Sequence, residues 1–280
     1  SDLYSVFRPG EKVLVVDNGK FSGRWAAYAP LLGLDTEVLR LDWGAVPEPE
    51  AVVTAGKGCA GVVLTHSETS TGALLDLEEI AFAWRNAYPE ALVVVDAITS
   101  AGAVPLYFDA WYLDVAVAAS QKALLNPAGL VAFALSERAQ ARLQPTHSGD
   151  FRNWYTYLQS HRSGDYPFTP PVQLLFGVEA VLARLQEETL PVVWNRVHHS
   201  AKTFRAQLGD LGGSVLAPSP TDSLTAFSFP KVDHAALKDA LEKQGYLLSG
   251  GQGPLKGRIL RVSHMGTADA RMMQELGRGL

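Results

Sequence analysis

The chain has 280 residues, 47% of them hydrophobic, and a formal net charge of −5. That length suits one large domain or two moderate ones with a sizeable core, and the mildly acidic balance excludes the basic footprint of a nucleic-acid or anionic-membrane binder. The single cysteine, Cys59, excludes an internal disulfide and a cysteine-rich metal site; with no long apolar run and no visible secretory signal, the expectation is a cytoplasmic protein without a metal.

Ser1 to Arg8 reads as the end of a helix, so the chain is expected to start partway through a fold. "KVLVVDNG" (12–19) reads as a buried strand ending in a turn. Trp25 to Leu32 reads as a helix closed by Gly33, with Pro30 expected to kink or shorten it. "AGVVLTH" (60–66) is a second strand. "LLDLEEIAFAWRNAY" (74–88) has apolar residues at helical spacing, with Pro89 just after it. "ALVVVDA" (91–97), "DVAVAAS" (114–120) and "GLVAFAL" (129–135) are further strands. Their alternation with helices predicts an α/β fold with a mostly parallel sheet sandwiched by helices. The close spacing of the last two leaves an antiparallel pair open.

After residue 165 the pattern changes. Pro167, Pro170 and Pro171 mark a loop, and two long helices follow at about 172–187 and 190–211. "SLTAFSFP" (223–230) and "RILRVS" (258–263) read as strands, and 233–244 and 267–278 as helices. The expected division is a large domain over 1–188 and a smaller α+β C-terminal domain over 189–280.

Polar residues fall where strands end, which is where ligands gather in such sheets. Asp96 ends "LVVVD", Thr65, His66 and Thr69 follow "GVVL", and Lys122 follows "DVAVAAS". A lysine after an apolar run must be paired, neutral or covalently modified. With Asp96 it makes either a plain ion pair or the two anchors of pyridoxal phosphate (PLP), which needs an amine for its aldehyde and an acid opposite its ring nitrogen.

The words "NGKFSGR" (18–24), "HSETSTG" (66–72), "VVDAITSAG" (94–102), "SQKAL" (120–124) and "LRVSHMG" (260–266) occur in this order. Together they resemble the class V aminotransferases of PLP fold type I, over nearly the whole chain. That group includes alanine–glyoxylate, serine–pyruvate and bacterial aspartate aminotransferases. The resemblance implies a PLP enzyme that moves an amino group between a small amino acid and a 2-oxo acid, as a homodimer with shared active sites. It assigns Lys122 to the cofactor aldehyde, Asp96 to the ring nitrogen and Phe21, often tryptophan in the family, to the ring face. Thr69 would meet the ring's hydroxyl side. Ser100 and Gln121 would lie near the phosphate, and Tyr166 and Thr169 would reach the partner subunit's phosphate. Arg261 would clamp the substrate carboxylate.

Each residue also has a plainer reading. Phe21 fits a core, Ser100 a helix cap, Tyr166 and Thr169 an ordinary loop, and Arg261 a structural ion pair. His66 is expected to orient a loop, His198 and His199 to lie on the surface, and Cys59 to be a buried thiol. "SGGQGPLKG" (249–257) reads as a plain loop or one that closes over substrate. An aspartate substrate would need a second cation, for which Arg24, Arg162 and Lys256 are candidates. The family's glycine-rich phosphate loop would precede Ser1, so an N-terminal part is expected to be missing. Two other readings follow: a lyase or desulfurase on the same fold, and a cofactor-poor truncated relative serving as a binding or assembly subunit.

Overall fold

The computed structural model describes residues 3–145 and 153–280. In chain order, α1 (Leu3–Val6) leads to β1 (Lys12–Asp17), α2 (Lys20–Tyr28), β2 (Asp35–Arg40), α3 (Pro49–Ala55) and β3 (Gly61–Thr65). The short β4 (Ser67–Glu68) and β5 (Ala73–Leu74) precede α4 (Leu77–Ala87), β6 (Leu92–Asp96), β7 (Val115–Ala119) and β8 (Val131–Leu135). Then come α5 (Glu137–Arg142), α6 (Trp154–Arg162), α7 (Val172–Glu188) and α8 (Leu190–Asp210). β9 (Ser214–Val215), β10 (Leu224–Ser228), α9 (His234–Lys243), β11 (Ser249–Gly250), β12 (Leu260–Ser263) and α10 (Ala270–Gly279) complete the chain.

Six strands form one sheet in the order β2-β1-β3-β6-β7-β8. All neighbours are parallel except β7 and β8, which are antiparallel. The segment from Ser120 to Leu130 is too short for the crossover that a parallel pair needs, so the chain turns straight back. Alternate side chains divide between two layers. Leu14, Val16, Val62, Leu64, Val93 and Val95 face Val52, Ile80 and Trp84 of α3 and α4. Val13, Val15, Val63, Val94, Val115 and Val117 face Leu3, Val6, Ala139 and Trp154 on the other side. Burial on both faces explains why these strands read as continuous apolar runs.

A second sheet, β11-β12-β10-β9, is antiparallel throughout. α8, α9 and α10 cover it through Phe204, Leu208, Leu241, Met273 and Leu276, which pack on Phe227, Leu260 and Val262. The fold is therefore a mostly parallel α/β sheet with a smaller antiparallel α+β unit. Among the described residues no helix is long and apolar enough to cross a membrane.

Two local expectations are corrected, and one strand was not foreseen. The helix expected at Trp25 to Leu32 begins at Lys20 and ends at Tyr28; Pro30 starts a separate 3-10 turn, closed by Gly33 at φ 78°. β2 escapes a search for apolar runs because it is an edge strand with no buried residue. The 249–257 segment is not a plain loop. Ser249–Gly250 pairs with β12, and a Cβ on Gly251 would lie 1.9 Å from the Leu255 carbonyl oxygen, so the tight return there requires glycine.

Candidate active site

The ends of β3, β6 and β7 lie side by side. Thr65 pairs with Asp96, and Asp96 with Val117. β1 neighbours β2 on one side and β3 on the other, so the connections leaving β1 and β3 diverge and open a crevice at their carboxyl ends. α2, the β4 turn and the loop after β7 border that crevice.

Asp96 is 8% exposed. Its Oδ1 accepts the Ile98 N–H at 3.0 Å, and its Oδ2 accepts the indole N–H of Trp25 at 2.9 Å. Lys122 is half-buried on the loop after β7. Burial, and then the Arg261 guanidinium, push its amine below the ordinary lysine range, while the Asp96 carboxylate opposes them. Amine, carboxylate and guanidinium thus share one field although they come from β7, β6 and β12.

Arg261 is 9% exposed, and among the described residues no acid is in hydrogen-bond contact with it. Its Nε donates to the Gly250 carbonyl at 3.1 Å and its Nη1 to the Thr69 carbonyl at 2.8 Å. Those bonds fix the plane of the guanidinium and use two of its five donors; among the described residues the second Nη1 hydrogen and the two on Nη2 have no acceptor. Burial lowers its pKa, with Glu68 opposing.

Glu68 is the residue the motif reading passed over. Fully buried, it accepts the N–H of Phe21 at 3.0 Å and of Ser22 at 2.8 Å on Oε2. Its Oε1 accepts the N–H and hydroxyl of Ser70 at 2.9 and 2.7 Å. The carboxylate thereby caps the N-terminus of α2, whose own Gly19 has no side chain to do so. This explains the early helix start, and it carries Phe21 to the crevice. A Cβ on Gly19 would lie 2.5 Å from Glu68 Cγ, so glycine is needed for the approach. Trp25 was also missed. The signal available for Glu68 was an acid set among the hydroxyls of "HSETSTG"; for Trp25 it was only the one-turn spacing from Phe21.

Phe21 is half-buried, with the Arg24 guanidinium 4.9 Å from its ring centroid. The Thr69 and Thr99 hydroxyls are 2.6 Å apart. Ser100 is fully buried and its hydroxyl has no hydrogen-bond partner among the described residues, so it caps no helix there. Gln121 is exposed beside Lys122. Tyr166 and Thr169 are not brought to this crevice by their own chain's contacts; they sit exposed between α6 and α7. Arg162 donates to Gln140 at 3.2 Å on α5, and Lys256 is exposed.

His66 is 2% exposed, packs edge-on against Trp111 and is pushed down to about 4 by burial. Its backbone links Asp96 to Leu75, in keeping with a loop-orienting role. His198 and His199 are exposed and bond separately, to Asp222 and to the Asn195 carbonyl. Cys59 is buried just ahead of β3, at the opposite end of the strand from the crevice, and burial raises its thiol pKa. Both facts are the reverse of what a desulfurase nucleophile needs.

A half-buried amine, a nearly buried carboxylate, an orphaned buried hydroxyl and a buried guanidinium are a set of groups that fits the chemistry of PLP and an amino acid. Comparison with known proteins agrees. The chain is 35% identical to the small subunit of a soluble hydrogenase from Synechococcus sp., over 92% of this chain and 69% of that one. It is 34% identical to the L-aspartate–glyoxylate aminotransferase of Paracoccus denitrificans, over 95% and 70%. The crystal structure of a subgroup IV aspartate aminotransferase from Thermus thermophilus superposes with a TM-score of 0.94 at 35% identity, covering 99% of this chain and 79% of that one. The profile of the class-V aminotransferases, a PLP-dependent family, matches residues 2–265, and the chain belongs to that family.

Proposed function

We propose that this aminotransferase uses PLP to move an amino group between a small amino acid and a 2-oxo acid, with glyoxylate the favoured acceptor class. The observation that carries this reading is the register that sets the Asp96 end of β6 beside β7, which leads into Lys122, with Arg261 held at the Thr69 carbonyl. The name of the Paracoccus relative supports glyoxylate and leaves aspartate or another small amino acid as donor.

Lys122 would hold the cofactor aldehyde and Asp96 its ring nitrogen. Phe21 would cover one ring face, and Thr69, through the hydroxyl pair with Thr99, the ring's hydroxyl side. The unpartnered hydroxyl of Ser100 suits a phosphate oxygen, with Gln121 nearby. When bound, PLP supplies an electron sink for the substrate's Cα carbanion. Arg261 fixes the substrate by its carboxylate, so that Cα–H faces Lys122. A depressed pKa leaves the Lys122 amine with a larger neutral fraction, fit to take that proton and return it.

The enzyme would work as a homodimer. α7 has no buried residue, yet it carries Val172, Phe176 and Leu182 in the open. Exposed apolar surface of that kind marks a protein contact. Tyr166 and Thr169, exposed just before α7, would then reach the phosphate in the second subunit. Residues 1–188 would form the cofactor-binding part and 189–280 the smaller one.

The test is a PLP titration of the full-length protein. A visible band at about 400 nm that disappears in Lys122→Ala, followed by amino transfer from aspartate, serine or alanine to glyoxylate, is expected. Failure of PLP to give that band with Lys122 intact overturns the reading.

A further inference from the structure

We infer that Trp25 is a positioning residue for Asp96: its indole N–H holds one carboxylate oxygen so that the acid stays ionised and faces the cofactor ring. The inference rests on the PLP reading above.

The two oxygens of Asp96 are served by different kinds of donor. The Ile98 N–H on Oδ1 is local, two residues along the chain, and holds that oxygen wherever the strand goes. The Trp25 bond on Oδ2, at 2.9 Å, spans 71 residues and comes from α2. Indole is a donor only. It can bond an unprotonated carboxylate oxygen, but it clashes with a carboxyl whose proton lies on that oxygen. Two N–H donors on a nearly buried carboxylate favour its charged form over the neutral one. A charged Asp96 keeps a proton on a facing ring nitrogen, which is the state that draws electrons.

α2 gives this bond a further consequence. Phe21 and Trp25 are one turn apart, so they share a helix face. The N-terminus of that helix is held by Glu68. Glu68 also exerts an electrostatic pull on Arg261, and the carbonyl of the next residue, Thr69, accepts from that arginine. One short helix thus carries the ring-stacking side chain and the donor that orients the acid, so neither can shift without the other.

The experiment compares the wild-type holoenzyme with Trp25→Phe and with Trp25→3-benzothienylalanine. The second variant keeps the shape of the fused ring and removes only the N–H, so it preserves packing where phenylalanine leaves a gap. The first readout is the 15N NMR shift of PLP labelled at its ring nitrogen, at one fixed pH. The wild type is expected to show a protonated nitrogen, and both variants a shift toward the unprotonated value as the proton moves to the more basic Asp96. The second readout is kinetic: kcat is expected to fall roughly 10–100-fold, the worth of one charge-assisted hydrogen bond, with KM for the amino acid little changed. A benzothienyl variant that binds PLP yet keeps both the wild-type 15N shift and kcat overturns the inference. A wild type that forms no visible PLP band sinks the underlying cofactor reading instead.

Discussion

The carboxylate of Glu68 sits on the first turn of the helix that carries Phe21, with Oε2 3.0 Å from the Phe21 nitrogen. The contact joins the two connections that diverge from β1 and β3, so it fixes the width of the crevice between them. It also replaces the capping side chain that Gly19 lacks.

Glu68→Ala is therefore expected to strand the backbone donors of Phe21, Ser22 and Ser70 in a buried place. The cost is roughly 3 kcal/mol or more. Glu68→Gln keeps the shape and some acceptors and should cost less. Urea denaturation of the two variants measures this, and PLP titration should show weaker binding in both. An alanine variant as stable as the wild type would show that the α2 terminus does not depend on this carboxylate.

Arg261 has two separable effects. Its charge lowers the Lys122 pKa, and its Nη2, which has no acceptor among the described residues, would meet a substrate carboxylate. Arg261→Gln should raise the Lys122 pKa, read from the pH dependence of reductive methylation at that lysine in the PLP-free protein. Arg261→Lys should leave it low, because the charge remains. Both should raise KM for the amino acid by roughly 10–100-fold, since lysine cannot make the two-pronged contact. A Lys122 profile identical in wild type and Arg261→Gln would contradict the electrostatic part.

His264 is fully buried between Thr225 and Met273, and burial, aided by Arg205, pushes its pKa down to about 3 from the ordinary 6.5. The unfolded chain binds a proton between those values that the folded chain does not. Stability is full above pH 6.5 and falls as pH drops toward 3, by an amount on the order of 3–5 kcal/mol for this one group. His66 adds to the slope in the same direction. Urea midpoints from pH 7.5 to 4.5 should fall steeply for the wild type and less steeply, by one proton, for His264→Gln. Parallel slopes for the two would rule this out.

Asp114 ties the sheet together at the edge away from the crevice. It is 1% exposed and accepts Arg85 Nη2 at 2.7 Å, the Val93 N–H at 2.9 Å and the Ser136 hydroxyl at 2.8 Å. Asp114→Ala removes the carboxylate that faces Arg85 and Arg138, leaving Arg85 only backbone carbonyls and the buried Val93 N–H no acceptor, and should cost about 3–5 kcal/mol. Thermal melts check the stability. Because the residue precedes β7 while Lys122 follows it, kcat per folded molecule should not change; a large loss of kcat in the folded fraction would refute that separation.

Some elements are legible because their evidence is local. "LVVVD" reads as a strand since every residue but the last is apolar and β-branched or leucine, and its terminal acid announces a strand end. "SQKAL" shows its lysine for the same reason. β2 was not legible, because an edge strand without buried residues carries no apolar run. The start of α2 was not legible either, because its cap lies 46 residues downstream of Ser22.

By itself, the chain's order of residues determined the alternation of strands and helices, the groups at the strand ends and the resemblance to a PLP family. Only the tertiary structure decided that Glu68 closes the N-terminus of α2, that Trp25 meets Asp96 and that Arg261 lies within the field of Lys122. The physical reason is range. Apolar periodicity is set by which face each residue turns to the core, but a hydrogen bond between distant segments exists only once strand order and register have brought their ends together.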